Sequence, residues 1–443
     1  MPLISFTVEN YRCFAKPQKV ELRPITVVLG RNNSGKSALV RTPLLLQAGI
    51  RTTSRSPFDL DQLGDEAPDF RHLVYGSRPH GSIRLGLEFA SGPADDARSV
   101  DVTVQNIDEW QDQVVRQLTV TSGSATTTLT WLDEYELERA EQEDKWDEPH
   151  LYVAETDLLS NAAPPGDVVF HGLLPTTPVN FGNGWSDDWD PEELSTSVEA
   201  IRADFDQVRY LGPYRDKPAR VHRLPPRLSS LVVGATGEQA LSLLAHDRLR
   251  RHGQVNQKLN ELLMHHLPGW SLQIEGLVDD LYSVVLQSRE TGLEVNLADA
   301  GTGVAQLLPI LIQRAVDAAN PPREPVLEIV EEPELHLHPS AHALVADSFL
   351  AATKESKVRF LIETHSETFL LRLRRRVAEG VVDPEDIGIY FVENTAGATS
   401  ARRIRLDRLG NLDYWPRGVF AEDFEETRAL AAAQAERTDA DAR

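Results

Sequence analysis

The 443-residue sequence contains one cysteine, Cys13, and two methionines. A single thiol excludes an internal disulfide and fits a reducing compartment, and Cys13 itself reads as a small buried residue of the first strand. No apolar run approaches the ~20 residues that cross a bilayer, and no signal peptide is read ahead of Pro2, so the expectation is a cytoplasmic protein with no membrane contact. Positive charge is scarce: 45 Lys and Arg stand against 68 Asp and Glu, a formal charge of −23. Phosphate contacts need a positive field, which excludes the surface as a whole from non-specific nucleic-acid binding and leaves only a local basic face. Sustained heptads are missing too, so a long coiled coil is not expected.

What is present is a 41% hydrophobic composition, ample for a core in a chain long enough for two or three domains. The dominant stretch is ITVVLGRNNSGKSALV, residues 25–40. Residues 25–29 read as a buried parallel strand, and a helix is expected from Gly35 onward. Between them, Gly30, Arg31, Asn32, Asn33, Ser34 and Gly35 lead into Lys36, Ser37 and Ala38 with the spacing of a phosphate cradle, in which backbone N–H groups and a helix N-terminus converge on an anion. Lys36 would reach the β- and γ-phosphates of a nucleotide, and the Ser37 hydroxyl would bind Mg2+. Pro43 should interrupt the helix that follows.

Three further segments carry chemistry. VLEIVEE, residues 326–332, is an apolar strand ending in two carboxylates: Glu331 would hold Mg2+, directly or through water, and Glu332 would polarise the attacking water. FLIETHS, residues 360–366, is a second short strand, placing His365 where it can hydrogen-bond the γ-phosphate. In NLADAGTGVAQLL, residues 296–308, Gly301, Thr302 and Gly303 open a helix whose N-terminus can face a phosphate. His336 and His338 could share one face of an extended segment, but a transition metal would need further ligands.

Phe6, Asn10, Tyr11, Arg12 and Phe14, followed by the 30–37 loop, resemble the opening of ABC-type ATPases of the RecF, SMC and OLD-like group. The glycine segment, acidic pair and histidine then follow in that group's order. The resemblance implies an α/β ABC-type ATPase head with a mixed or parallel core sheet, an N-terminal antiparallel β-lobe and a helical lobe. It implies a homodimer that sandwiches ATP, each site completed by the Gly301–Gly303 signature of the other chain. In the group's terms Glu332 is the catalytic glutamate and His365 the switch histidine, while residues 334–339 form the crossing loop at the dimer interface. Three departures stand out: Glu331 and His338 replace aspartates, and the signature serine is missing. Gln47 and Gln62 are both candidates for the group's magnesium-side glutamine.

The expected organisation is residues 1–93 for the first part of the head, 94–205 for an acidic insertion, 206–395 for the second part and 396–443 for a small C-terminal module and tail. A short helix is expected within 58–75, strands at 82–89 and 100–104, and helices over 238–267 broken near Gly253. A helix after His365 should bury Phe369, Leu370, Leu373 and Val377, with Arg372, Arg375 and Arg376 on its other side as a basic face for DNA, RNA or a partner. Gly410, Trp415-Pro416 and Phe420 resemble a C-terminal module found in some bacterial ATPases of the group, and a frayed helix should follow Glu422. No convincing Glu plus Asp-x-Asp set of a TOPRIM nuclease follows His365, so no nuclease is expected in cis. The resemblance therefore implies an effector, such as a nuclease, acting in trans, as in bacteriophage-defence ATPases. DNA repair or chromosome maintenance, and a nucleotide-gated scaffold with little turnover, are the alternatives.

Overall fold

A computed structural model describes residues 2–60, 69–90, 97–109, 112–132, 151–156, 166–179, 191–228, 230–250, 252–276, 279–395, 397–415 and 422–441. The chain opens with the antiparallel pair β1 (Leu3–Glu9) and β2 (Gln18–Glu21), then β3 (Ile25–Gly30), every residue of which is buried. Helix α1 (Lys36–Val40) stops at Arg41, and α2 (Thr42–Ile50) starts with Pro43 in its first turn, where a missing N–H costs nothing. The interruption expected from Pro43 is thus a clean break between two helices. Between 58 and 75 the described part is two 3₁₀ turns, Phe70–His72 and Tyr75–Ser77.

Strands β4 (Ser82–Phe89), β5 (Arg98–Ile107), β6 (Asp112–Ser122), β7 (Ala125–Trp131), β8 (Leu151–Thr156) and β9 (Gly166–Asp167) join β1 and β2 in one eight-stranded antiparallel sheet, order β2-β1-β4-β5-β6-β7-β8-β9. Residues 98–131 and 151–156, which composition assigns to an acidic insertion, therefore continue the β-lobe. Alternation explains it: in β5, Val100, Val102 and Val104 are buried while Asp101 and Thr103 are partly exposed. The 134–148 acidic run lies outside the described residues. A hairpin, β10 (Phe170–His171) with β11 (Leu174–Pro175), and helix α3 (Pro191–Asp204) then lead back to the core.

The second half supplies β12 (Gln207–Leu211), β13 (His222–Arg223), α4 (Ala240–Arg250) and α5 (Gln254–His266), with Gly253 at φ 72 where the helical pattern was expected to break. Strands β14 (Trp270–Gly276), β15 (Leu281–Ser288) and β16 (Glu294–Asn296) make a small antiparallel sheet with β13. Then come α6 (Thr302–Ala319), β17 (Val326–Glu331), α7 (Pro339–Glu355), β18 (Val358–Glu363), α8 (Glu367–Ala378), β19 (Ile387–Thr395), β20 (Ala398–Ile404) and α9 (Glu422–Asp441). Helix α8 buries Phe369, Leu370, Leu373 and Val377, the four residues its spacing nominates.

The core sheet has the order β12-β17-β18-β3-β19-β20 and is parallel except for β20, which pairs antiparallel with β19. Its two faces separate the cores. Val28, Leu327, Ile329 and Leu361 pack toward the β-lobe, and Val27, Leu29, Val330 and Ile362 toward the helices. The fold is the mixed α/β arrangement expected, with an antiparallel lobe on a mostly parallel sheet. Parallel register sets Glu331 opposite Glu363 and Glu363 opposite Val28, so three strand ends deliver their last residues to one edge. Among the described residues no helix is long and apolar enough to cross a membrane.

Candidate functional site

The phosphate-loop segment forms a strand, a turn and a short helix, as its sequence dictates. Gly35 sits at φ 97, and a Cβ there would fall 2.3 Å from Cys13 Sγ, so both conformation and space require glycine. Cys13 is half-buried in the turn after β1, packed on the loop, and not in the first strand: the tight turn at Asn10, Arg12 and Phe14 takes the chain out of the sheet first. Lys36 is only 3% exposed. Its Nζ donates to the Arg31 carbonyl at 2.8 Å and lies 3.9 Å from Glu363 Oε1. Burial lowers its pKa, against the pull of Glu363 and Glu332.

The acidic strand ends are not equivalent. Both Glu331 oxygens accept from Arg41, Oε1 from Nε at 2.5 Å and Oε2 from Nη2 at 2.7 Å, while the same guanidinium stands 5.7 Å from the Tyr210 ring centroid. Glu331, expected to hold Mg2+, is thus already paired with a cation. Glu332 has φ 42, the left-handed region that a non-glycine residue occupies only when its surroundings insist. They do. Its N–H donates to the Glu363 carbonyl at 2.8 Å, and the buried Arg215 donates from Nη2 to the carbonyls of Glu331 and Glu332 at 3.0 and 3.4 Å. Burial brings Arg215 down to about 10.

On the neighbouring strand end, the Glu334 carboxylate accepts from Thr364 Oγ1 and from the His365 N–H, both at 2.7 Å, which fixes the histidine's backbone. Burial raises the Glu334 pKa. His365 Nε2 lies 3.8 Å from Glu332 Oε1, and burial, helped by Lys36, pushes the imidazole down to about 4. It is therefore neutral, and the contact is a dipole beside a carboxylate, not an ion pair. Glu363, which the sequence reading passed over, is 4% exposed and accepts from Ser37 Oγ at 3.1 Å. Burial first, and then repulsion by Glu331, push its carboxyl up to about 7. Ligand atoms of Glu332, Glu363 and His365 lie within 4.8 Å of one another. The signal was available: Glu363 ends an apolar strand just as Glu331 does.

Elsewhere the expectations meet specific partners. Gly301 and Thr302 are exposed at the start of α6, and a Cβ on Gly303 would approach the His336 carbonyl to 2.9 Å. Asp299 is held by Arg220 at 2.7 and 2.9 Å. His338 Nδ1 caps α7 through Ser340, and among the described residues neither His336 nor His338 joins a group of three or more possible metal ligands. Gln47 accepts from Val208 N–H at the sheet edge, and Gln62 lies outside the described residues. The basic face of α8 is internally paired: Arg372 and Arg376 bind Asp347, and Arg375 and Arg376 bind Glu379.

A family model described as an AAA ATPase domain matches residues 1–146 and 246–370. The chain belongs to this ATPase family. A second model, described as a protein of unknown function (DUF3696), matches residues 382–430, which span the last two core strands and the C-terminal module. Among solved structures, the ATPase is similar to the SMC head domain from Thermotoga maritima, with 12% identity over 92% of this chain and 100% of that one and a TM-score of 0.41. It is also similar to an SmcHead bound to the C-winged helix domain of ScpA, with 12% identity, 92% and 99% coverage and a TM-score of 0.47. A third is the Smc head domain with an extended coiled coil bound to the C-terminal domain of ScpA derived from Pyrococcus furiosus, with 10% identity, 91% and 96% coverage and a TM-score of 0.43. No curated protein matches the chain.

Proposed function

We propose that this ATPase binds ATP at the 30–38 loop, closes as a homodimer around it, and uses hydrolysis to release that dimer and switch a partner effector. The observation that carries the reading is the convergence of Lys36, Ser37, Glu332 and His365, from three separate strand ends, on one edge of the sheet. Lys36 would move from the Arg31 carbonyl to the β- and γ-phosphates. Glu332, held in its left-handed turn, would orient the attacking water, and neutral His365 would donate an N–H to the γ-phosphate. The hard oxygen donors beside Ser37 suit magnesium, which would neutralise charge on the phosphoryl oxygens. Exposed Gly301 and Thr302 leave the start of α6 open to a second chain's nucleotide, which supports assembly in trans.

A protein effector, such as a nuclease encoded separately and acting in phage defence, is favoured over direct DNA or RNA contact by the net charge of −23 and by the internal pairing of the α8 arginines. The Arg41–Glu331 pair favours one further reading, a nucleotide-gated scaffold of low turnover. Steady-state ATP turnover of the wild type and Glu332→Gln decides between them. The expected result is a loss of about 10²–10⁴-fold in the variant, with an ATP-bound dimer accumulating on size exclusion. Equal turnover in the two proteins refutes the catalytic assignment.

A further inference from the structure

Two buried carboxylates end the strands beside the phosphate loop, and their surroundings differ in a way that bears on the cation. Glu331 faces a full positive charge: the Arg41 guanidinium donates to both of its oxygens. A second cation at that carboxylate would sit against the first, in a buried setting where screening is weak. Glu363 is less closely matched: the Lys36 ammonium stands 3.9 Å from its Oε1, too far for a hydrogen bond. Its Oε1 accepts from Ser37 Oγ at 3.1 Å, and its buried Oε2 has no hydrogen-bond partner. A buried polar atom left unmatched at a functional edge points to a ligand that completes it.

Resting on the ATPase reading, we propose that Glu363, and not Glu331, is the carboxylate that holds the divalent cation beside Ser37, with Arg41 keeping Glu331 out of its reach. The distances suit this. Oxygen ligands on adjacent vertices of a magnesium octahedron lie about 2.9 Å apart for the usual bond lengths, close to the 3.1 Å between Ser37 Oγ and Glu363 Oε1. Glu332 and His365 place further ligand atoms within 4.8 Å, so a cation at Glu363 adjoins the group that orients water. Position in the sheet completes the case: β18 lies between β17 and the loop strand, so Glu363 is one strand nearer to Ser37 than Glu331 is.

The test uses the full chain, a non-hydrolysable ATP analogue and Mn2+ as the magnetic probe. Analogue affinity is measured first in EDTA, and then Mn2+ affinity of the analogue complex by electron paramagnetic resonance, for wild type, Glu363→Gln, Glu331→Gln and Glu363→Asp. We expect Glu363→Gln to keep metal-free analogue binding, which shows that it is folded, and to lose Mn2+ affinity about 10–100-fold. Glu331→Gln should lose less. Glu363→Asp, which retracts the charge by one methylene, should fall between Glu363→Gln and wild type. Wild-type Mn2+ affinity in Glu363→Gln, or a larger loss in Glu331→Gln, overturns the proposal while leaving the ATPase reading intact. Failure of the wild type to bind the analogue sinks both.

Discussion

Glu363 should make this protein less stable as the solution becomes less acidic. Its carboxyl is pushed from 4.5 up to about 7, by burial above all and then by Glu331, against the lowering effects of Ser37 and Lys36. The folded state therefore keeps a proton that the unfolded chain has already lost. The sign follows: where the native state binds more protons, unfolding becomes easier as pH rises. This contribution is fully present below pH 4.5, is lost as pH climbs from there to about 7, and is flat above. At ~1.4 kcal/mol per tenfold, the whole change is about 3 kcal/mol, of which about 2 falls between pH 5.5 and 7. Glu363→Gln is nearly isosteric, still accepts from Ser37 and does not titrate, so its stability relative to wild type should climb by that amount across the window and then level off. Melting temperatures of both proteins in EDTA without nucleotide, from pH 5.5 to 8.5, measure the difference. The variant should gain a few degrees as pH rises. A difference independent of pH, or one that shrinks on going to pH 8.5, refutes the reasoning.

Other perturbations follow from the same geometry. Arg215→Met frees the carbonyls of Glu331 and Glu332, so turnover should drop about 100-fold with analogue binding in EDTA unchanged; unaltered turnover would remove Arg215 as a positioning residue. Lys36→Ala should abolish analogue binding by fluorescence titration, because it removes the buried ammonium that the loop holds on the Arg31 carbonyl. Gly303→Val would press on the His336 carbonyl and should cost about 1–3 kcal/mol in a denaturant titration, with loss of turnover. Arg376→Ala removes a partner of both Asp347 and Glu379, so it should lower the melting temperature slightly and leave DNA retention in a low-salt gel shift unchanged.

What the sequence made legible depended on the range over which each pattern acts. The phosphate loop, the acidic strand end at Glu332 and the histidine at 365 are local patterns, each a strand ending in chemistry, and parallel strands deliver such ends to one edge. Pairings across the fold were not legible in that way. Arg41 meets Glu331 only because the break between α1 and α2 comes to the end of β17, and no spacing in the chain announces it. Nor does any motif single out Arg215, whose role as a clamp on Glu331 and Glu332 depends on the path of the chain after β12. Alternation made the strand at 100–104 legible, but the lobe strands from 112 onward were obscured for another reason. Their outward positions carry Asp, Gln, Arg and Thr, so average composition resembles a solvated decoration, although Val115, Leu118 and Val120 are buried between them.

The charges at the site also dictate how its ligands must depend on one another. As the side chains stand, Lys36 is matched by the Arg31 carbonyl and Glu363, Glu331 is matched by Arg41, and His365 is neutral. A triphosphate that draws Lys36 away removes the nearest positive charge from Glu363, whose carboxyl is too buried to ionise cheaply alone. That carboxyl must then keep its proton or gain a cation, so nucleotide and divalent ion should favour each other by the same factor in both directions. The coupling should be strong in the wild type and weak in Glu363→Gln, where no charge is left to cover. Analogue affinities with and without Mg2+ give the factor for each protein. Equal factors would mean that Lys36 and Glu363 do not share the work of holding the pair, and that the cation is bound through the nucleotide alone.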